Sequence, residues 1–225
     1  MLVFYDDIIR EALNDRIPWK FAENGLKRLK ILKSSVKMLE RDTNIPYPAI
    51  VITPVLKILV HEAGVEAIIH GHIDFREDVR GNVVPVVNLS LPFLLNAKKH
   101  LYNYILAHEF LHYMFLAKKV VKADYFSLAQ DLGETIISHM LFDESVKLDP
   151  KKVFKSRYIL GLINKRYEKL INDEKFLKSI EENWVKRNLP TIFIPESQFL
   201  RRFTPSEFLK MKFPEEVVKA ISKIA

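Results

Sequence analysis

The 225-residue chain contains no cysteine. Disulfides, thiolate metal sites and cysteine nucleophiles are therefore excluded, and any bound metal must be held by His, Asp or Glu. Its six glycines form neither a phosphate-cradling loop nor a G-x-S-x-G nucleophile elbow. Glutamine occurs only at Gln130 and Gln198, and with abundant lysine this composition leans towards a heat-adapted (thermophile) source. The N-terminus carries Asp6 and Asp7 where a signal peptide wants lysines, and no apolar run is long enough to cross a bilayer. The expectation is a cytoplasmic protein with no membrane partner. There is no internal repeat and no low-complexity tract.

What is present points to a globular protein able to bury a core without staples: 48% of residues are hydrophobic and 28% charged. The net charge of +7 is uneven, because residues 151–225 hold 17 basic and 9 acidic side chains while the first 150 hold 18 and 19. Such an excess fits solvated lysine faces on amphipathic helices, and it also allows contact with nucleic acid or an acidic partner.

Residues 1–41 read as helical. Ile8, Ile9, Ala12 and Leu13 make one apolar stripe, and Leu26, Leu29, Leu32, Val36 and Leu39 another, with Lys27, Arg28, Lys30, Lys33 and Lys37 on the other faces as solvated surface. Trp19 and Phe21, beside Pro18, read as core anchors. After the turn-rich Asn44–Pro48, the β-branched segments Ala49–Thr53, Val55–Val60, Val65–Phe75 and Val83–Leu91 read as strands, the last two forming a hairpin. Pro85 lacks a ladder donor and predicts a sheet edge or a bulge for Val83–Leu91. Pro92 ends that strand, and Asn96 is placed to cap a helix extending to Lys118. A second helix is expected at Tyr125–Leu141. Amphipathic helices follow at Lys151–Asn172, started by Asp149-Pro150, and at Glu174–Asn188. Leu189–Gln198 reads as irregular, holding one short apolar segment, Thr191–Pro195, that could lie in a cleft as a plug. Thr204-Pro205-Ser206-Glu207 has the elements of a capping box, and Pro214-Glu215-Glu216 opens a last helix.

Within the apolar run Leu101–Phe115 lies His108-Glu109-Phe110-Leu111-His112, an H-E-x-x-H pattern. Histidines four apart on a helix point to one side, one turn apart, so both imidazoles can reach one metal ion. Zinc suits neutral imidazole, and a catalytic site leaves a position open for water. Glu109, beside the first ligand, is placed to take a proton from that water. His70 and His72, two apart on a strand, read as a solvent-facing pair, and His61 and His100 as surface or packing residues.

This constellation resembles the zincin metallopeptidases, over about residues 50–145, with an edge strand ahead of a helix bearing H-E-x-x-H. The long motif H-E-x-x-H-x-x-G-x-x-H is excluded, because Phe115 and Lys118 stand where it needs Gly and His. The gluzincin arrangement, with a glutamate from the next helix, implies Glu134 as third ligand, ahead of Asp131 and of Glu144 or Asp143. Ser138 stands where gluzincins often place a carboxylate partner. Gly133 in mid-helix suits close passage of another backbone. The resemblance implies one Zn²⁺ per chain and hydrolysis of a peptide or protein substrate. Oxyanion stabilisers would come from Tyr125, His139, Arg157 or Tyr158. The expected fold is α+β: a small, mostly antiparallel sheet with an edge strand on the H-E-x-x-H helix. Residues 1–148 would form the catalytic domain and 149–225 a basic helical subdomain, or one continuous domain with it. The competing reading is a binding protein without turnover that contacts nucleic acid or an acidic partner through its basic C-terminal helices, with Phe199-Leu200-Arg201-Arg202-Phe203 as its best support.

Overall fold

A computed structural model of the chain describes residues 2–60, 66–122, 148–164, 174–195 and 205–224. Asp6 and Asp7 occupy the first turn of α1 (Asp6–Leu13), where carboxylates oppose the positive end of the helix, and Ile8 and Ala12 of the predicted stripe are buried. Helix α2 (Trp19–Thr43) buries Leu32, Val36 and Leu39 and stops at Asn44, which takes the left-handed conformation that closes helices. Leu13 and Leu26 of the predicted stripes are exposed, and two further details depart from the sequence reading. Val3–Phe4 is a short strand, β1, not helix. Trp19 is half exposed, its indole donating to Glu23 at 3.1 Å. The buried tryptophan is Trp184, stacked on Phe21 with ring centroids 6.0 Å apart.

The predicted strands form two mixed sheets. In the first, β1 and β2 (Ile50–Thr53) are parallel, β2 and β6 (Val83–Ser90) are parallel, and β5 (Gly71–Glu77) closes the sheet antiparallel to β6. In the second, β3 (Leu56–Val60) lies between β4 (Glu66–Ile69), antiparallel, and β7 (Thr191–Pro195), parallel. The fold is α+β as expected, but its sheets are mixed rather than mostly antiparallel. Thr191–Pro195 is a strand rather than an irregular plug, because β3 offers it a free ladder edge.

The expected edge strand is in fact interior, and β5 takes the edge among the described residues. Pro85 is accommodated by a gap. Val83 donates its N–H to the carbonyl of Lys210 at 3.0 Å, and Val87 donates to Ala49 at 2.8 Å. By the two-residue period of a strand, Pro85 faces the same way between them, where its missing N–H has no carbonyl to serve.

Ser90 ends β6 and caps α3 (Leu91–Asn96), its Oγ accepting from the Phe93 N–H at 3.3 Å. Asn96 therefore closes this short helix, donating to the Pro92 carbonyl at 2.8 Å, and does not cap the motif helix α4, which starts at Lys99 and runs to Lys122. Arg28 of α2 ties down the joint, donating to the carbonyls of Leu95 and Ala97 at 2.9 and 3.2 Å.

Asp149 caps α5 (Pro150–Val153), its carboxylate accepting from the Lys151 N–H at 3.0 Å. The chain then breaks at 154–156 before α6 (Arg157–Asn164), so the continuous helix expected from Lys151 is interrupted. α7 (Glu174–Asn183) precedes β7, and α8 (Pro205–Leu209) and α9 (Glu215–Ile224) complete the described chain. These C-terminal elements share the core of the rest: α9 packs on α4 with Val217 and Ile221 buried, and Phe176 of α7 packs against Phe93. Among the described residues no helix is long and apolar enough to cross a membrane.

Candidate metal centre

Helix α4 is buried on all sides. From Leu101 to Ala117 every residue is buried except His108, which is half-buried. The helical period brings His108 and His112 together as the sequence predicts, with their Nε2 atoms 2.9 Å apart and rings edge to face. That separation is less than twice the zinc–imidazole distance of about 2.0–2.1 Å, so one ion can touch both nitrogens. Burial holds the His108 imidazole down to about 4, so it is neutral near pH 7, as a ligand must be. Tyr104 continues the stripe one turn earlier, its ring stacked 6.0 Å from His108.

Glu109 is buried, at 3% exposure. Its Oε1 lies 3.4 Å from where a Cβ at Gly71 would stand, so the carboxylate sits against the first residue of β5. Tyr47 flanks the same helix. Its hydroxyl donates to the Leu106 carbonyl at 2.8 Å, and its ring stacks on Phe110 with centroids 5.4 Å apart. Burial, and secondarily the negative charge of Glu109, raise the Tyr47 pKa well above that of a free phenol. Neither partner was singled out from sequence. Gly71 carried a readable signal, since a glycine inside a strand marks a close approach. Tyr47 carried only its position between Pro46 and Pro48.

The candidate third ligands Glu134, Asp131, Glu144 and Asp143, together with Gly133, Ser138, Tyr125 and His139, lie outside the described residues, as do His61, Thr204 and Phe199–Phe203. Among the described residues no group of three or more His, Asp or Glu converges to hold a metal. The candidate ligand pair among the described residues is therefore His108 and His112. Tyr158 is brought to α4 by Asn103, whose amide donates to its hydroxyl at 3.1 Å. At 100° per residue, Asn103 is about 140° around the helix from His108 and about 180° from His112. Tyr158 is thus held on the far side of α4 from the histidines.

His70 and His72 are not the solvent-facing pair expected. His70 falls between β4 and β5, 1% exposed and packed against Phe93 and Phe176, and among the described residues neither ring nitrogen has a hydrogen-bond partner. Burial lowers its pKa to about 3. His72 approaches the Lys57 ammonium at 3.1 Å, and its pKa is also lowered to about 3, first by burial and then by Lys57, against an opposing pull from Asp74. A buried His70 beside a partly buried His72 had no signature in the alternation of the strand.

The chain matches no protein-family model, no curated protein and no solved structure.

Proposed function

We propose that the chain is a zinc-dependent metallopeptidase of zincin type. The observation that carries the reading is the convergence of the His108 and His112 Nε2 atoms to 2.9 Å on a buried helix whose next residue, Glu109, is also buried. His108 and His112 would hold the zinc, with a third ligand from residues 123–147, for which Glu134 is the candidate. Bound zinc supplies a Lewis acid that acidifies water and polarises a carbonyl. Glu109 takes the proton from the attacking water and returns it to the leaving amine. The apolar wall of α4 and the strand β5 around it exclude bulk water, which strengthens the carboxylate's action as a base. Among the described residues β5 is also a sheet edge next to Glu109, where an extended peptide could add as a further strand.

The competing reading, nucleic-acid binding through the C-terminal helices, draws less support. Lys178, Lys186 and Lys219 there are engaged by Glu182, Glu181 and Glu215 at 4.0, 3.5 and 2.6 Å.

The test is elemental analysis of purified protein combined with hydrolysis of a mixed fluorogenic peptide pool. One zinc per chain is expected, and Glu109→Gln should keep the metal and the fold while losing hydrolysis by a factor of at least about 10². Protein without stoichiometric metal, or undiminished hydrolysis by Glu109→Gln, overturns the reading.

A further inference from the structure

On the far side of α4 from the histidines, α2, α4 and α6 enclose an open groove of about 790 Å³. Lys30, Lys33, Lys37 and Arg41 line it from successive turns of α2, and Lys99 lines it from the first turn of α4. All five are exposed, and none makes an ion pair among the described residues. The one carboxylate lining the groove among the described residues, Asp42, accepts a hydrogen bond from the Lys155 N–H at 3.0 Å. Like charges at one-turn spacing work against a helix.

The rest of the groove suits an anionic polymer. Ser156 caps α6, its Oγ accepting from the Ile159 N–H at 3.4 Å, and it lines the groove, so the positive end of that helix opens there. The floor holds Ser35 and Asn103, 1% and 3% exposed, and among the described residues Ser35 Oγ and Asn103 Oδ1 have no hydrogen-bond partner. The Asn103 amide can pair with Tyr158 through either end, so one polar end is left over in both orientations. Tyr158 lies between the lining residues Ser156 and Ile159 in sequence and meets the groove at its margin, where its hydroxyl bonds the lining residue Asn103. It is 50% exposed, and its hydroxyl bond to Asn103 fixes the ring.

We propose that this groove binds the backbone of single-stranded nucleic acid, with Tyr158 as a stacking platform for a base. A basic track beside a fixed, exposed aromatic ring is the combination that holds single strands without reading their sequence. A concave groove walled by three helices admits one strand and disfavours the flat surface of a bilayer. The site is independent of the proposed peptidase, because it lies on the opposite face of α4, and it is separate from the C-terminal basic residues.

The experiment titrates a fluorescein-labelled oligothymidylate of about fifteen nucleotides with the full chain and follows anisotropy across a salt series starting at about 50 mM. Binding that weakens linearly in log[salt], by about 0.7 per phosphate contacted, is expected. K33E/K37E should weaken it at least tenfold and flatten the salt slope. Y158A should weaken it severalfold with the slope unchanged, and Y158F, which keeps the ring but not its bond to Asn103, should bind more tightly than Y158A. K210E/K223E, of equal charge change near α8 and in α9, should stay within threefold of the native chain. Circular dichroism checks that each variant is folded. The proposal is overturned by absence of binding at the lowest salt, by K33E/K37E binding as the native chain does, or by K210E/K223E weakening binding equally. It is also overturned if polyglutamate competes as well as unlabelled oligothymidylate, which would make the groove a site for acidic peptides.

Discussion

Glu109 rests its carboxylate against the backbone of β5 at Gly71, where any side chain would intrude. A Cβ there would stand 2.9 Å from Leu89 Cδ2, 3.1 Å from Ile105 Cγ2 and 3.4 Å from Glu109 Oε1. The first two contacts are with ends of aliphatic chains that can shift by a few tenths of an ångström, and the third is with the proposed base.

Gly71→Ala should therefore cost about 1–3 kcal/mol, measured by urea unfolding, as overpacking of a close contact. Hydrolysis should fall by more than the lost folded fraction explains, because moving Ile105 and Leu89 displaces the carboxylate. Native stability and native activity in this variant would show that the contact does not position Glu109.

His70 predicts acid sensitivity. Its folded pKa of about 3 lies below the unfolded value near 6.5, so between these values the unfolded chain binds more protons and stability rises with pH. The contribution is present above about pH 6.5 and is lost as pH falls towards 3. His70→Phe removes both unsatisfied ring nitrogens while keeping a flat ring against Phe93 and Phe176. It should be at least as stable as the native chain at pH 7 and gain a further ~1 kcal/mol or more at pH 5 by chemical denaturation. A pH-independent difference between the two proteins would refute this.

Metal should stabilise the fold by mass action. Zinc in hundredfold excess over its dissociation constant should add about 3 kcal/mol, seen as a rise in thermal midpoint that a chelator reverses. His108→Ala and His112→Ala should each abolish that rise, and Glu109→Gln should keep it. A rise that survives loss of either histidine would place the metal elsewhere.

Tyr47→Phe deletes a buried hydroxyl that donates to the Leu106 carbonyl across 59 residues of sequence. The loss should be about 0.5–1.5 kcal/mol, with zinc content unchanged. A drop in bound zinc would mean that Tyr47 shapes the ligand pair as well as the packing.

Much of the fold was legible because its signals are local. The β-branched runs became β2, β3 and β6 with small shifts in boundary, the run Val65–Phe75 divided at His70 into β4 and β5 of different sheets, and Asp149-Pro150 started a helix where its cap chemistry says it should. The misreadings cluster where a partner distant in sequence decides. Thr191–Pro195 is too short and too exposed to announce a strand, with Phe193 at 58% exposure, yet β3 supplies a ladder for it. Trp19 follows a proline and looks like an anchor, but the space beside Phe21 is filled by Trp184, far along the chain.

The sequence by itself determined that two imidazoles meet: a four-residue spacing on an apolar helix puts His108 and His112 one turn apart whatever surrounds them, since the helical period is set by backbone hydrogen bonds within the segment. Only the tertiary structure decided what faces Glu109, which strand forms the sheet edge, and how Pro85 survives in an interior strand. Gly71, Tyr47 and the gap between Lys210 and Ala49 are brought there by strand order and by packing between distant segments, and neither is encoded in the period of any one segment.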